Sequence, residues 1–369
     1  MINIGKILKR SWHILWNYRV LWAFGLLLAI TTGGGGGGNG GGSNSSYSPG
    51  NDDFPRTPSY QDAPEWVRAM GEWFEQIEPV FTSPGQHVTT WVLIGVAIVL
   101  FILIVSLIVA LIRYPSETAV MRMVDDYEQT GNKVGFRQGW KLGWSRRAFH
   151  LWVIDLILGL PGFAFLLVML IVGLMIYFSV TSGAQALSVI GTVAAIGIFF
   201  MALFIFIIFM VFLGLLRNFF ARAAALEETG VIESFRSGWA TFKSNWKSAG
   251  LMWLVMIGIS IAFGILAVIA FFLLIPAYLI LLLPAGAVAF LPGLLAFAIT
   301  SLFASFPLAL LIGLLVALPF FFMVLFSPLL LISGWFKIYE SSVWTLTYRE
   351  IKALASVNLP LVASENAQL

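Results

Sequence analysis

Few side chains in this sequence could do chemistry, and their spacing excludes most of what they could do. The three histidines, His13, His87 and His150, stand far apart and form no pair with metal-ligand spacing. Cysteine is absent, which removes thiolate metal sites, disulfides, lipid attachment through sulfur and thiol nucleophiles. No Gly-x-Ser-x-Gly elbow accompanies His150 and Asp155, and no paired histidines lie in an apolar stretch. The glycine run beginning at Gly33 lacks the lysine and the strand-to-helix setting of a phosphate loop, so it reads as a linker. These exclusions predict a protein without catalytic residues, metal or cofactor.

Asp155 is the exception, being the only charged residue between Ala148 and Leu216. A carboxylate at mid-bilayer costs ~3 kcal/mol on insertion scales, so it requires a partner. The nearest candidates along the chain are Arg146, Arg147 and His150, and pairing with them is the expected role; a proton or cation site is the alternative. Arg217 and Arg222 follow the next apolar run and read as cytoplasmic anchors.

The elements that must position these residues are organised by a motif. Phe136-Arg137-Gln138-Gly139-Trp140 has counterparts at Leu8-Lys9-Arg10-Ser11-Trp12 and Phe235-Arg236-Ser237-Gly238-Trp239. Each copy gives a cation (Lys9, Arg137, Arg236), a small residue and a tryptophan at helical spacing, which suits a helix at the boundary between lipid tails and headgroups. Glu128-Gln-Thr-Gly131 and Glu227-Glu-Thr-Gly230 precede two of the copies at the same interval. Glycine there can terminate a helix, so Gly131 and Gly230 are expected as C-caps that lay the next helix back along the membrane.

Each motif opens a long apolar run. Hydrophobic residues make up 59% of the chain and charged residues 11%, and no Asp, Glu, Lys or Arg occurs between Lys247 and Lys337, so the class is a polytopic membrane protein. Spans are expected from about Ile14 to Thr32, 91–112, 148–178, 187–216, 249–283 and 306–335, with 284–305 as a broken or re-entrant piece because of Pro284, Pro292 and Gly293. The fold class is thus all-α, with about six transmembrane helices in three tandem repeats of one interfacial helix plus two spans. The repeats are 1–131, 132–230 and 231–352, followed by a tail over 353–369. The first contains an insertion, 33–88, in which Trp66, Met70, Trp73 and Ile77 recur on one face of an acidic amphipathic helix. Cations gather outside that insertion, which places both termini in the cytoplasm of a plasma-membrane protein. The net charge of +3 sits in short loops beside apolar runs, so membrane lipids and other membrane proteins are the expected partners and nucleic acid is not.

The Phe-Arg-x-Gly-Trp motif before an apolar helix, the Glu-x-Thr-Gly turn and the closing Trp344-Thr-Leu-Thr-Tyr348-Arg-Glu resemble bacterial multi-span proteins near the membrane domain of glycerophosphoryl diester phosphodiesterases. The resemblance covers most of the chain outside 33–88 and implies a membrane bundle. It carries over no catalytic residue, because the hydrolase module of that family is a separate soluble domain. The reading is a non-enzymatic integral membrane protein that organises lipid or serves as an accessory subunit; the alternative is a transporter for a small or lipidic solute.

Overall fold

The computed structural model describes residues 2–32, 68, 88–181, 185–227, 229–303 and 306–366. The glycine run, the amphipathic segment around Trp66 and Trp73, and His87 lie outside the described residues. Among those residues the chain is wholly helical, with eleven helices and no strand. They are α1 (Ile4–Asn17), α2 (Leu21–Thr31), α3 (Val88–Thr130), α4 (Phe136–Gly143), α5 (Arg146–Thr181), α6 (Gln185–Leu226), α7 (Val231–Ser244), α8 (Trp246–Leu273), α9 (Ile275–Thr300), α10 (Phe306–Leu325) and α11 (Ser327–Asn366).

Five of these helices are long and apolar enough to cross a membrane: α3 from Ile102, α5, α6 from Gly191, α8 and α9. Two bent pairs raise the number to seven if each counts as one span: α1 with α2, bent by 102°, and α10 with α11, bent by 70°. Three of the expected spans are altered: that from Ile14 to Thr32 is broken between α1 and α2, 306–335 is broken between α10 and α11, and 249–283 is broken before α9. The last of these breaks falls at Leu274, not at Pro284, and Ile275 to Thr300 is one helix with Pro284 and Pro292 inside it. Pro276 explains the shift, since it stands in the first turn of α9, where a missing N–H costs no hydrogen bond. The residues expected to form a re-entrant piece therefore belong mostly to a candidate span.

The chain forms two compact units, of which the first comprises 1–28, 110–263 and 334–369. Its core is a single apolar cluster that includes Tyr18, Phe24, Leu151, Phe219, Ile338 and Trp344. The short motif helices pack into it through their small residues. Ser11, Gly139 and Gly238 are all buried, whereas Trp12 and Trp239 are about half exposed, Trp140 is half-buried, and Lys9, Arg137 and Arg236 point outward. At Gly139 a Cβ would meet the Met123 sulfur, at Gly143 the carbonyl of Pro115, and at Gly238 the backbone nitrogen of Phe220 at 3.0 Å. Glycine thus sets how closely α4 lies on α3 and α7 on α6. A similar approach joins α2 to α11, where a Cβ on Gly25 would come within 2.6 Å of the Gly334 carbonyl.

The two Thr-Gly turns differ. Gly131 has φ +72°, the left-handed conformation that ends α3. Gly230 does not repeat it: with φ −69° and ψ 169° it is the N-cap of α7, and the expected C-cap there is corrected. Its extended backbone is open to any residue, so the shared Glu-x-Thr-Gly string does not impose one geometry. Between α1 and α2 the chain turns at Tyr18, whose hydroxyl donates to the Val134 carbonyl (2.9 Å) and accepts from the Val134 N–H (2.6 Å). That buried clasp satisfies both backbone polar groups of Val134, in the loop before α4.

The second unit comprises 29–109 and 264–333. Its described part is built on the α9–α10 hairpin. The two helices cross at Gly293 and Gly313, where a Cβ on either would lie 3.0–3.1 Å from the carbonyl of the other. Phe271, Tyr278 and Phe326 form its small aromatic core.

Candidate functional site: an ionic network within three long helices

Three charged residues of the first unit, Arg113, Glu117 and Asp155, gather around Arg217. This arginine stands near the end of α6, and its guanidinium pairs with two carboxylates. Nε and Nη2 donate to Asp155 at 2.6 and 2.8 Å, and Nη1 and Nη2 donate to Glu117 at 3.0 Å each. The Tyr114 hydroxyl donates to Asp155 at 3.2 Å, and Arg113 approaches the same carboxylate at 3.7 Å. Side-chain exposures of 13% for Glu117, 17% for Asp155 and 26% for Arg217 mean that water contributes little to their solvation. Planar two-point pairing on both sides is the arrangement that best offsets that loss.

Helical geometry explains how three segments meet there. Arg113 and Glu117 are four apart and therefore share one face of α3. Asp155 is nine residues into α5, and Arg217 lies in the final turns of α6, which packs along α5. The expected partners of Asp155 are displaced by the same geometry. Arg147 is eight residues earlier, about 12 Å along the axis at 1.5 Å per residue. It donates instead to the Ala225 carbonyl at 3.0 Å, near the end of α6. Arg146 is exposed, and the buried Nδ1 of His150 has no hydrogen-bond partner. Arg217 is thus no peripheral anchor, and the expectation that it was is corrected.

Arg222, five residues on, is 3% exposed. It donates to the Asn218 carbonyl and side chain (2.9 and 3.2 Å) and to the Ser341 carbonyl (3.3 Å). It too is a core residue rather than an anchor at the surface.

A second ionic group lines a cleft of about 360 Å³ beside the ends of α3 and α6. Arg349 of α11 pairs with Asp125 at 2.8 Å, and Lys352 pairs with Glu227 at 2.7 Å. Glu227 also accepts from Ser237 at 2.6 Å and from Tyr348. Burial alone would push the Glu227 carboxyl up, but the hydrogen bonds from Lys352, Ser237 and Tyr348 and the charge of Lys352 outweigh it, holding the group below the usual carboxylate range. Arg10 of α1 pairs with Glu128, near the end of α3, at 2.9 Å.

The family of unknown function DUF7544 matches residues 8–350, which takes in every residue of the Arg217 network and all three tryptophan motifs. The chain belongs to the DUF7544 family. No curated protein and no solved structure matches it. Nothing found links this DUF7544 chain to the membrane part of the glycerophosphoryl diester phosphodiesterases, so that resemblance carries no further argument here.

The sequence singled out Asp155 and missed Glu117 and Arg217. A signal for them existed: Asp155 is the lone charge of one apolar run, and Arg217 is the first charge after the next, so two helices of matching length offer opposite charges. In chemical terms the network offers no free base, nucleophile or metal set. Among the described residues no three His, Asp or Glu gather to hold a metal. What it does is lock three helices to one guanidinium.

Proposed function

We propose that this DUF7544 member is a non-enzymatic integral membrane scaffold of the plasma membrane, organising lipid or holding a partner subunit, with both termini cytoplasmic. The observation that carries the reading is the closure of the Arg217 network: both carboxylates are engaged by the guanidinium, leaving neither poised for proton transfer. Three motif helices, each burying a small residue and leaving its tryptophan outward or half-buried, support a threefold repeated design anchored at the lipid headgroups. Asp155→Asn keeps a polar partner for Arg217, so a scaffold loses stability modestly and keeps its copurifying lipids and proteins. Sidedness follows from single cysteines: Ser45→Cys reacts with an impermeant thiol reagent in intact cells, and Gln138→Cys and Ser244→Cys react only after lysis. Reversed labelling refutes the orientation.

A transporter for a small or lipidic solute is the second reading, favoured by the position of Glu117 and Asp155 inside candidate spans. It requires solute flux in proteoliposomes that Asp155→Asn abolishes while stability is unchanged. That result would replace the scaffold.

A further inference from the structure

Six of the fourteen tryptophans share one kind of neighbour. Trp12, Trp22, Trp140, Trp144, Trp239 and Trp246 each have Lys or Arg three residues earlier, although these cations are only 21 of the 369 residues. The pairs at 9–12, 137–140 and 236–239 lie within the motif helices, where that spacing puts both side chains on one face, a turn apart. All six cations are exposed, and among the described residues none of them forms an ion pair with a carboxylate. Four of the tryptophans are exposed as well, from 45% at Trp239 to 60% at Trp246.

These pairs stand at one end of the first unit. Arg10 ties α1 to Glu128 near the end of α3, and α5 and α6 run out and back between α4 and α7. Carboxylates are scarce along the motif segments: none occurs among residues 2–32 or between Glu128 and Asp155, and Glu233 is the only one from 229 to 339. At the adjoining helix ends Asp125, Glu128 and Glu227 are engaged by Arg349, Arg10 and Lys352. The outer faces of α1, α4 and α7 therefore carry a surplus of positive charge beside exposed indoles.

We propose that the three motif helices bind a lipid surface of net negative phosphate headgroups, with the cations at the phosphates and the indoles at the level of the glycerol esters. Tryptophan favours that depth, and a lysine or arginine on the same face reaches outward to the phosphate plane. A headgroup of no net charge brings an ammonium of its own, which would meet helices already rich in cations, so the negative class is selected. An acidic protein would match the charge, but Trp144 directly precedes α5 and Trp246 opens α8, both candidate spans, which is the position of a lipid boundary. The proposal rests on the lipid-organising reading above and names the lipid.

The test uses the full chain in phosphatidylcholine vesicles containing a small share of pyrene-labelled phosphatidylglycerol or, separately, pyrene-labelled phosphatidylcholine, with energy transfer from tryptophan to pyrene as the readout. Transfer to phosphatidylglycerol should report an affinity about two- to fivefold higher, and ~1 M salt, where the Debye length is about 3 Å, should remove the difference. Arg137→Gln with Lys141→Gln and Arg236→Gln keeps every tryptophan and should lower the preference about twofold or more at unchanged Tm. Should that variant fail to fold, the salt series alone decides. Equal transfer to the two labels, a preference unchanged in the triple variant or in high salt, or displacement of phosphatidylglycerol by inorganic phosphate beyond that by chloride at equal ionic strength, the mark of a free-phosphate site, would each overturn the proposal. Equal transfer with lipid still copurifying would fell the headgroup preference and leave the lipid-organising reading standing; preferential transfer with no copurifying lipid would do the reverse.

Discussion

The two units use different means to hold helices together. In the first, charged and polar groups are carried inside: Arg217 binds Glu117 and Asp155, Tyr18 clasps the backbone of Val134, and Arg222 donates to the carbonyls of Asn218 and Ser341. In the second, residues 264–333 contain no charged side chain, and its described part is packed through the glycine crossing and apolar and aromatic side chains. Apolar contact gives little net preference for a neighbouring helix over lipid, so the second unit depends on shape. Polar pairs, by contrast, specify a partner, because every other arrangement leaves a charge unmatched.

The sharpest way to break that contrast is to empty the centre of the network. Arg217→Ala leaves Glu117 and Asp155 without their paired guanidinium, with only the more distant charges of Arg113 and Arg222 nearby, and a loss of about 3–5 kcal/mol is expected in unfolding measured by denaturant titration in mixed micelles. A loss under about 1 kcal/mol would show that the network is incidental. Next in size is Gly25→Ala. Its Cβ would meet backbone at 2.6 Å, which the α2–α11 crossing cannot relieve without separating, so about 1–3 kcal/mol should be lost. Gly313→Ala sharpens the comparison. Its contacts, at 3.0 Å, need a shift of only a few tenths of an ångström, and alanine regains up to ~1 kcal/mol of helix propensity, so the net change should lie within about 1 kcal/mol. If Gly313→Ala proves the more damaging of the two, the second unit is the more tightly specified.

The smallest expected effect concerns Glu227 and depends on pH. Its folded-state value is depressed, so its stabilisation is present above the unfolded value of roughly 4.3 and is lost as pH falls through the folded one. Lys352 is 53% exposed, so the pair is worth about 1 kcal/mol or less. Wild type and Glu227→Gln should therefore differ slightly at neutral pH and converge in acid below the ordinary carboxylate range. A gap that widens on acidification would contradict the assignment.

The legible parts of this chain were those set by local pattern. The turn at Gly131 and the ends of α3 followed from a polar string after an apolar run, and the small residues at 11, 139 and 238 followed from helical spacing. Pro284 misled because two prolines in a row of apolar residues suggest a break, while the break was set by Pro276. Asp155 was identifiable as a residue in need of a partner, yet its partner comes from 62 residues away on another helix. One-dimensional proximity favoured Arg147, and only the packing of α5 on α6 could replace it. Gly230 shows the limit of matching strings, since the same Thr-Gly pair sits at a helix end in one case and a helix start in the other.

The α2–α11 crossing also sets an order of events during synthesis. Helix α2 spans only Leu21–Thr31, about 16 Å at 1.5 Å per residue, too short to cross the ~30 Å hydrocarbon layer alone. Its contact surface on α11 emerges roughly 300 residues later, which at ~5–20 residues per second is about 15–60 s. Through that interval the amino-terminal segment has no Gly334 to rest on, and α2 gains its backbone contact only once α11 has been made.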